Sequence, residues 1–433
     1  MMKRSLDDFF KAAEGMEKKP KELTSAEKPS QERKSLILQP ETPQELPPSY
    51  FVSATYDGKK GTALIKLYEP KSEKIYFWYD TTGHKPYCLT NLPAGELEKI
   101  GRLKAHPGFD HFETLEKYDP LLDRQVTVTK VVAKDPLAIG GRPSGCVRDI
   151  IPEEYPKIAS LEQPVKVWEA VIRYYQSYIY DRNLAPGMIY KVENGQLVPV
   201  RHEPSEDMVK KILGLFQEEP KEFLENVEMW ARLLEYPAPR FRRVAIDIEV
   251  ATPVPTRVPD PHEAAYQIIS VALFGSDGKK RILLLRREDT AKGSADLPSD
   301  VSVEYYDSEE KLILKVFEAL WDYPFVITFN GDDFDLRYLY HRALNHLGLE
   351  RSRIPIEIGK RACLLKNGVH IDLYKLFFNR SIQIYAFSQK YRDITLDEVG
   401  KALVGLAKVE LDKPLSELTY TELARYNFRD AEI

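Results

Sequence analysis

Three stretches of this sequence hold side chains that could share one piece of chemistry. In "RRVAIDIEV" (242–250), Val244, Ile246, Ile248 and Val250 alternate with Ala245, Asp247 and Glu249, the period of a β-strand with two faces. One face of an apolar strand then carries two neighbouring carboxylates, each raising the cost of ionising the other. A positive partner is called for. In "ITFNGDDFD" an apolar strand runs out into Asn330, Gly331 and two aspartates, and the next helix is predicted to begin close to Asp335. Asp332 and Asp333 read as N-caps of that helix. In "ARYNFRDAEI", Tyr426 and Asp430 stand four apart and share one helix face. Alone, each stretch is ordinary: a solvated strand face, a helix cap, a mixed-charge surface helix. Together they can bind hard divalent cations, and two such ions clamp the attacking and leaving oxygens of a phosphodiester. Two Mg²⁺ or Mn²⁺ ions on Asp247, Glu249, Asp335 and Asp430 are the expected positive partner. Tyr426 is left to orient or help deprotonate the attacking water.

The elements that must position these groups read as an α/β domain over 237–433. After the first strand come "YQIISVALF" and "KKRILLLRR", joined through "GSDG" as a hairpin. A helix is predicted over "SEEKLILKVFEALWDY", a strand over "PFVITFN", and a second helix on the stripe Leu336, Leu339, Tyr340, Ala343, Leu344 and Leu347, ending at Gly348. Strands alternating with helices, opened by a hairpin, give a sheet of mixed strand direction.

Residues 49–236 read as a mixed α+β domain. "TALIKLYE", "KIYFWYD" and "VTVTKVVA" are strands, "LEQPVKVWEAVIRYYQSYIYDRN" has helical periodicity, and Asn-Gly in "ENGQLVPV" marks a turn. "EYPAPR", with its two prolines, is the boundary with the α/β domain. Residues 1–48 are dominated by Lys, Glu, Ser, Gln and Pro and cannot bury enough apolar surface to order, so a disordered tail is expected. At its head, "KRSLDDFF" sets Leu6 before Phe9 and Phe10 at helical spacing, as a docking peptide would.

Composition narrows the class. With 43% hydrophobic and 30% charged residues, no membrane-length apolar run and no secretory leader, the expectation is a multidomain, cytoplasmic protein without a bilayer span. Cys88, Cys146 and Cys363 lie far apart with no zinc-type spacing, so they are expected as buried apolar residues. The net charge of −5 does not advertise nucleic-acid binding, although an acidic metal site can mask that signal. Basic clusters at Arg240, Arg242 and Arg243, at Lys59 and Lys60, and at Lys360 and Arg361 read first as solvated faces.

"DIE" at Asp247 to Glu249, N-x-x-x-F-D at Asn330 to Asp335 and Y-x-x-x-D at Tyr426 to Asp430 resemble, in order, the three motifs of the 3′–5′ proofreading exonuclease of family B DNA polymerases. "NGVHIDLYKLFF" and "ITLDEVGKALVG" are similar to further segments of that family, and the resemblance, closest to crenarchaeal polymerases, covers the chain from about Ser49 onward. It implies a ribonuclease H-like exonuclease domain in which Asp247, Glu249, Asp335 and Asp430 are metal ligands and Tyr426 orients water. Asn330 and Phe334 would shape the site around the terminal nucleotides, and Asp372 is kept as structural. The implied partner is DNA, as a single-stranded 3′ end or a primer-template.

The preceding domain resembles the family's N-terminal domain, which in archaeal members senses template uracil. "TGHKPYCL" and "KDPLAI" are similar to two walls of that pocket, making Tyr56, Pro86, Tyr87 and Pro136 its candidates, with packing in a small β domain as the competing role. "KRSLDDFF" resembles the sliding-clamp-interacting peptide, with Leu6 as plug and Phe9 and Phe10 as the aromatic pair, although Lys3 replaces the usual Gln. The palm motifs of a polymerase are not met before Ile433, and the helix of the third motif is cut three residues after Asp430, so the exonuclease domain is expected to be truncated at its C-terminal end. The chain then reads as the N-terminal part of a polymerase, or as a partner of a second chain carrying the palm. The alternative is a non-catalytic DNA-binding, template-scanning module. The intact carboxylate set favours the enzyme.

Overall fold

The computed structural model describes residues 42–433, apart from 142–143, 160–163, 203–204, 235–236, 253–257 and 412, with the backbone alone for 232–234. The docking peptide with Leu6, Phe9 and Phe10, and most of the expected tail, lie outside the described residues. Among the described residues, nine strands precede residue 237: β1 (Leu46–Asp57), β2 (Thr62–Glu69), β3 (Lys74–Tyr79), β4 (Tyr87–Thr90), β5 (Phe109–Asp119), β6 (Arg124–Ala133), β7 (Val167–Trp168), β8 (Ile189–Glu193) and β9 (Gln196–Pro199). They form two sheets, ordered β3-β2-β1-β8-β9 and β5-β6-β4-β7. Asn194 and Gly195, both at positive φ, make the turn between β8 and β9, because a two-residue hairpin needs that conformation at both positions.

Two boundaries differ from expectation. Strand β1 begins inside the residues read as tail: Leu46 is buried and pairs with Val192. Pro47 and Pro48 are tolerated because the register with β8 shifts between Leu46 and Ser49, a bulge where no proline N–H is needed. Among the described residues of the helix expected over 161–183, Tyr174–Asp181 is helical. Val167 and Trp168 instead pair with Thr90 and Leu89 on β4, and Glu169 takes a φ of 62°, which breaks helical continuity.

The second half is built on a six-stranded mixed sheet, β13-β12-β11-β10-β14-β17. Its strands are β10 (Arg243–Val250), β11 (Ile268–Gly275), β12 (Lys280–Leu285), β13 (Val301–Tyr306), β14 (Phe325–Thr328) and β17 (Val369–Asp372), with β15 (Ile356–Ile358) and β16 (Cys363–Leu365) as a separate ribbon. Strands β10, β11 and β12 are antiparallel neighbours, whereas β10, β14 and β17 run parallel. The helix Glu309–Asp322, capped by Ser308, packs on β11, β12 and β13. The final helix, Tyr420–Glu432, lies on β10, β11 and β12. Val244, Ile246, Ile248 and Val250 are all buried in the core, as their alternation requires.

The two halves meet along β14 and β17. Tyr50, Tyr68 and Phe325 are buried together, with Phe241 and Val369 packed on them. Lys66 of β2 is buried at the same seam, donating to the carbonyls of Leu365 (2.6 Å) and Gly368 (2.8 Å). Burial pushes its ammonium down to about 8. All three cysteines are free and buried. Among the described residues, no helix is long and apolar enough to cross a membrane.

Candidate active site

Asp247, Glu249 and Asp430 bring carboxylate oxygens within 4.8 Å of one another. The first two come from the C-terminal end of β10, where the register with β11 shifts between Glu249 and Val250. Such a bulge re-aims side chains at a strand end. The third comes from the final helix, started by a reciprocal cap in which Thr419 and Glu422 bond each other's backbone N–H. Asn427 on this helix donates to Asp247 Oδ2 (2.7 Å) and accepts from Ser270 Oγ (2.6 Å), tying the helix to β10 and β11.

The positive partner that two adjacent carboxylates demand is supplied in part by the chain itself. Lys408 Nζ lies 2.6 Å from Asp430 Oδ2 and 5.5 Å from the centroid of the Tyr426 ring. One ammonium does not balance the set. Burial first, then Glu249, Asp335 and Asp430, holds Asp247 well above the usual carboxylate range; Glu249 is raised for the same reasons, chiefly burial and Asp430. Asp430 is raised by burial against the pull of Lys408. Its Oδ1 is buried with no hydrogen-bond partner among the described residues. An oxygen-only donor set, an excess of negative charge and an orphaned carboxylate oxygen are what a hard divalent cation satisfies.

Asp335 stands beside this trio, engaged differently. Parallel pairing of β10 with β14 ends at Ala245 and Ile327, and the free N–H of Ile248 beyond it donates to Asp335 Oδ1 (3.1 Å). Burial pushes the Asp335 carboxyl up to about 7, although the N–H of Ile248 opposes the shift. Phe334 takes the N-cap position of the helix Asp335–His341 and packs on Tyr338. Asn330 holds a φ of 70° and its N–H donates to Asp372. Gly331 is required: a Cβ there would sit 2.3 Å from Thr328 Oγ1.

The N-cap reading of Asp332 and Asp333 does not hold. Asp332 is buried and turned to Lys375 Nζ (2.5 Å) and the N–H of Cys363 (2.5 Å). Against the opposing effect of burial, His370, Lys375 and that N–H hold it down to about 2. Asp333 is not the cap residue, Phe334 is. Asp372 accepts the N–H groups of Asn330, Asp332 and Tyr374, a structural clasp under the loop. Sequence reasoning missed Lys408, Asn427 and Ser270. Only Asn427 carried a signal, being next to Tyr426 on the same helix; Lys408 lies in a loop without periodicity.

An apolar cavity of about 330 Å³ adjoins Asp247 and Asp430, with Phe329, Phe377, Leu396, Val399 and Leu403 among its walls. In the first half of the chain, Tyr56 packs on Tyr174 (4.8 Å between ring centroids). Pro86 and Tyr87 are buried, and the Tyr87 hydroxyl donates to Asp181 (3.1 Å). Pro136 lies half-buried in the loop after β6.

A mixed sheet thus presents clustered carboxylates at its strand ends, beside an apolar cavity. Residues 165–392 match the DNA polymerase family B exonuclease domain, and the chain belongs to this family. It is 43% identical over 385 residues to DNA polymerase 1 of Saccharolobus solfataricus, and 41% identical over 384 residues to that of Sulfolobus acidocaldarius. Each match covers 89% of this chain but only 41% and 42% of those relatives, so the chain spans about two fifths of their length. The fold is similar to that of the family B DNA polymerase from Pyrobaculum calidifontis, with a TM-score of 0.55 at 17% identity, covering 89% of this chain and 45% of that one.

Proposed function

We propose that the chain carries a 3′–5′ exonuclease that hydrolyses terminal nucleotides from a DNA 3′ end, the editing activity of a family B DNA polymerase. The observation that carries this reading is the convergence of Asp247, Glu249 and Asp430 within 4.8 Å. These three, joined by Asp335, would hold two Mg²⁺ or Mn²⁺ ions, which stabilise charge on the attacking and leaving oxygens. Asn427, itself bonded by Ser270, donates to Asp247 and orients its carboxylate. Lys408 returns one positive charge to the cluster and steadies Asp430. The Tyr426 phenol is pushed up to about 12, by burial first and then by Glu249 and Asp430. It would orient or help deprotonate the attacking water. The cavity beside Asp247 would take the terminal nucleoside, with Asn330 and Phe334 at its loop.

The strand order and directions support a ribonuclease H-like classification. By the same family reading, residues 49–236 would form a template-scanning domain with Tyr56, Pro86, Tyr87 and Pro136 around a uracil pocket. Leu6, Phe9 and Phe10 would dock on a sliding clamp, a second polypeptide or region would supply the palm, and the protein would work in the cytoplasm. The test is release of nucleotides from a 3′-labelled single-stranded oligonucleotide with Mg²⁺ or Mn²⁺. Metal-dependent shortening is expected, with a loss of at least about 10³-fold in the Asp247→Ala, Glu249→Ala double variant. No cleavage by the parent chain, with DNA binding retained, would favour a non-catalytic scanning module.

A further inference from the structure

Lys66 brings to the seam a charge that packing alone does not call for. It lies on β2 of the first half, is 7% exposed, and has its ammonium 5.5 Å from the centre of the Phe77 ring. Among the described residues no carboxylate forms an ion pair with it, and Glu357 acts on it only through space. Burying a charge without a partner of opposite sign is costly, and an apolar side chain of similar size commonly fills such a place as well or better. What Lys66 supplies instead is direction. Its two bonds go to the carbonyls of Leu365 (2.6 Å), the last residue of β16, and Gly368 (2.8 Å), the residue directly before β17.

The strand that starts there leads to the carboxylates. β17 has four residues and lies at the edge of its sheet, bordered by β14 alone. Its last residue is Asp372, whose carboxylate accepts the N–H groups of Asn330 (2.8 Å) and Asp332 (3.1 Å). Between the two ends, His370 Nε2 lies 2.8 Å from Thr328 Oγ1, at the residue where β14 gives way to the same loop. That loop ends at Asp335. Four residues of strand span roughly 13 Å, so whatever fixes the start of β17 also fixes the height of Asp372 and of the loop clasped on it. With one ladder to hold it, β17 depends on that start.

We propose that Lys66 is a positioning residue of the carboxylate site: from the first half of the chain it holds the start of β17, and through Asp372 and the 330–335 loop it sets the placement of Asp335. What Asp335 does there rests on the exonuclease reading; the link itself does not. The site is then shared between the halves, although all of its carboxylates come from the second.

Amide hydrogen exchange of the full chain in EDTA reads the link without any cation. Lys66→Met should speed exchange across 330–336 at least about tenfold while β11 and β12 stay within about twofold. Lys66→Arg, which keeps donors for both carbonyls, should return most of the protection. Tyr50→Phe removes a bond elsewhere on the seam, from the Tyr50 hydroxyl to the Pro237 carbonyl, and should leave the loop unchanged. Mn²⁺ binding, followed by electron paramagnetic resonance, reads the consequence. Lys66→Met should weaken it at least about fivefold in the parent and less than about twofold in an Asp335→Asn background, where the path is already cut. Circular dichroism checks each fold, and Lys66→Gln, too short to reach both carbonyls, takes the place of a Met variant that does not fold. Unchanged loop exchange, an equal effect of Tyr50→Phe, or the full loss of Mn²⁺ affinity on top of Asp335→Asn would each overturn the positioning role. Faster loop exchange in a chain that binds no Mn²⁺ would keep the link and remove the exonuclease reading.

Discussion

At the scale of single residues, the cluster gathers buried carboxylates whose charges oppose one another. Asp335 illustrates the sign. Its carboxyl in the folded chain is raised to about 7, against about 3.9 unfolded. The folded protein therefore retains a proton that the unfolded chain has already released between those values. The stabilisation is complete below about pH 4 and is lost as pH rises through about 7. In EDTA, thermal melts should show a falling Tm from pH 5 to pH 8. Asp335→Asn keeps an oxygen for the Ile248 N–H but cannot ionise, so its Tm should fall less, its unfolding free energy losing less over that range by a difference on the order of 3 kcal/mol. Mg²⁺ should restore the parent at pH 8 and help the variant less. Equal falls in both proteins would mean that Asp335 is not strained by its surroundings.

At the scale of elements, the site depends on how firmly the final helix is seated. Thr419 and Glu422 cap each other, Lys413 holds Glu422 (2.9 Å), and Gly293 lies so close that a Cβ would come within 2.2 Å of Thr419 Oγ1. Thr419→Ala should cost about 1 kcal/mol in urea unfolding and lower kcat severalfold with little change in KM, because Asp430 rides on this helix. A stability loss with kcat unmoved would detach the cap from the chemistry. Much of this element is legible in the sequence. Tyr426 and Asp430 share a face by helical spacing alone, and Asp247 and Glu249 by strand spacing alone. What stays hidden depends on partners distant in sequence. Asp332 looks like a cap until Lys375 and His370 fold back onto it. Lys408 has no local pattern that would send it to Asp430. The helical signal over 161–183 is half right, because the pairing of Val167 with Thr90 outweighs a periodicity that Val165, Val167 and Ala170 meet equally well from a strand and a bend.

At the scale of the whole molecule, the seam between the halves decides what can be separated. Phe241 and Phe325 of the second half are packed at 4.6 Å from each other and against Tyr68 of the first half. The strand that begins with Phe325 ends, at Thr328, directly before the loop of Asn330 to Asp335. One short strand therefore anchors the seam at one end and the loop of Asn330 to Asp335 at the other. Anyone wishing to use the second half as a separate reagent inherits this arrangement. A piece covering 238–433 would open Phe241, Phe325 and Val369 to water together and strip Lys66 from the carbonyls of Leu365 and Gly368. It should self-associate, seen as light scattering above micromolar concentration, and co-expression with residues 42–237 should suppress it. A monodisperse, active piece would show that the seam is dispensable. Otherwise the first half acts as a built-in solubility partner for the second, and the smallest portable unit runs from Leu46 to the end of the final helix.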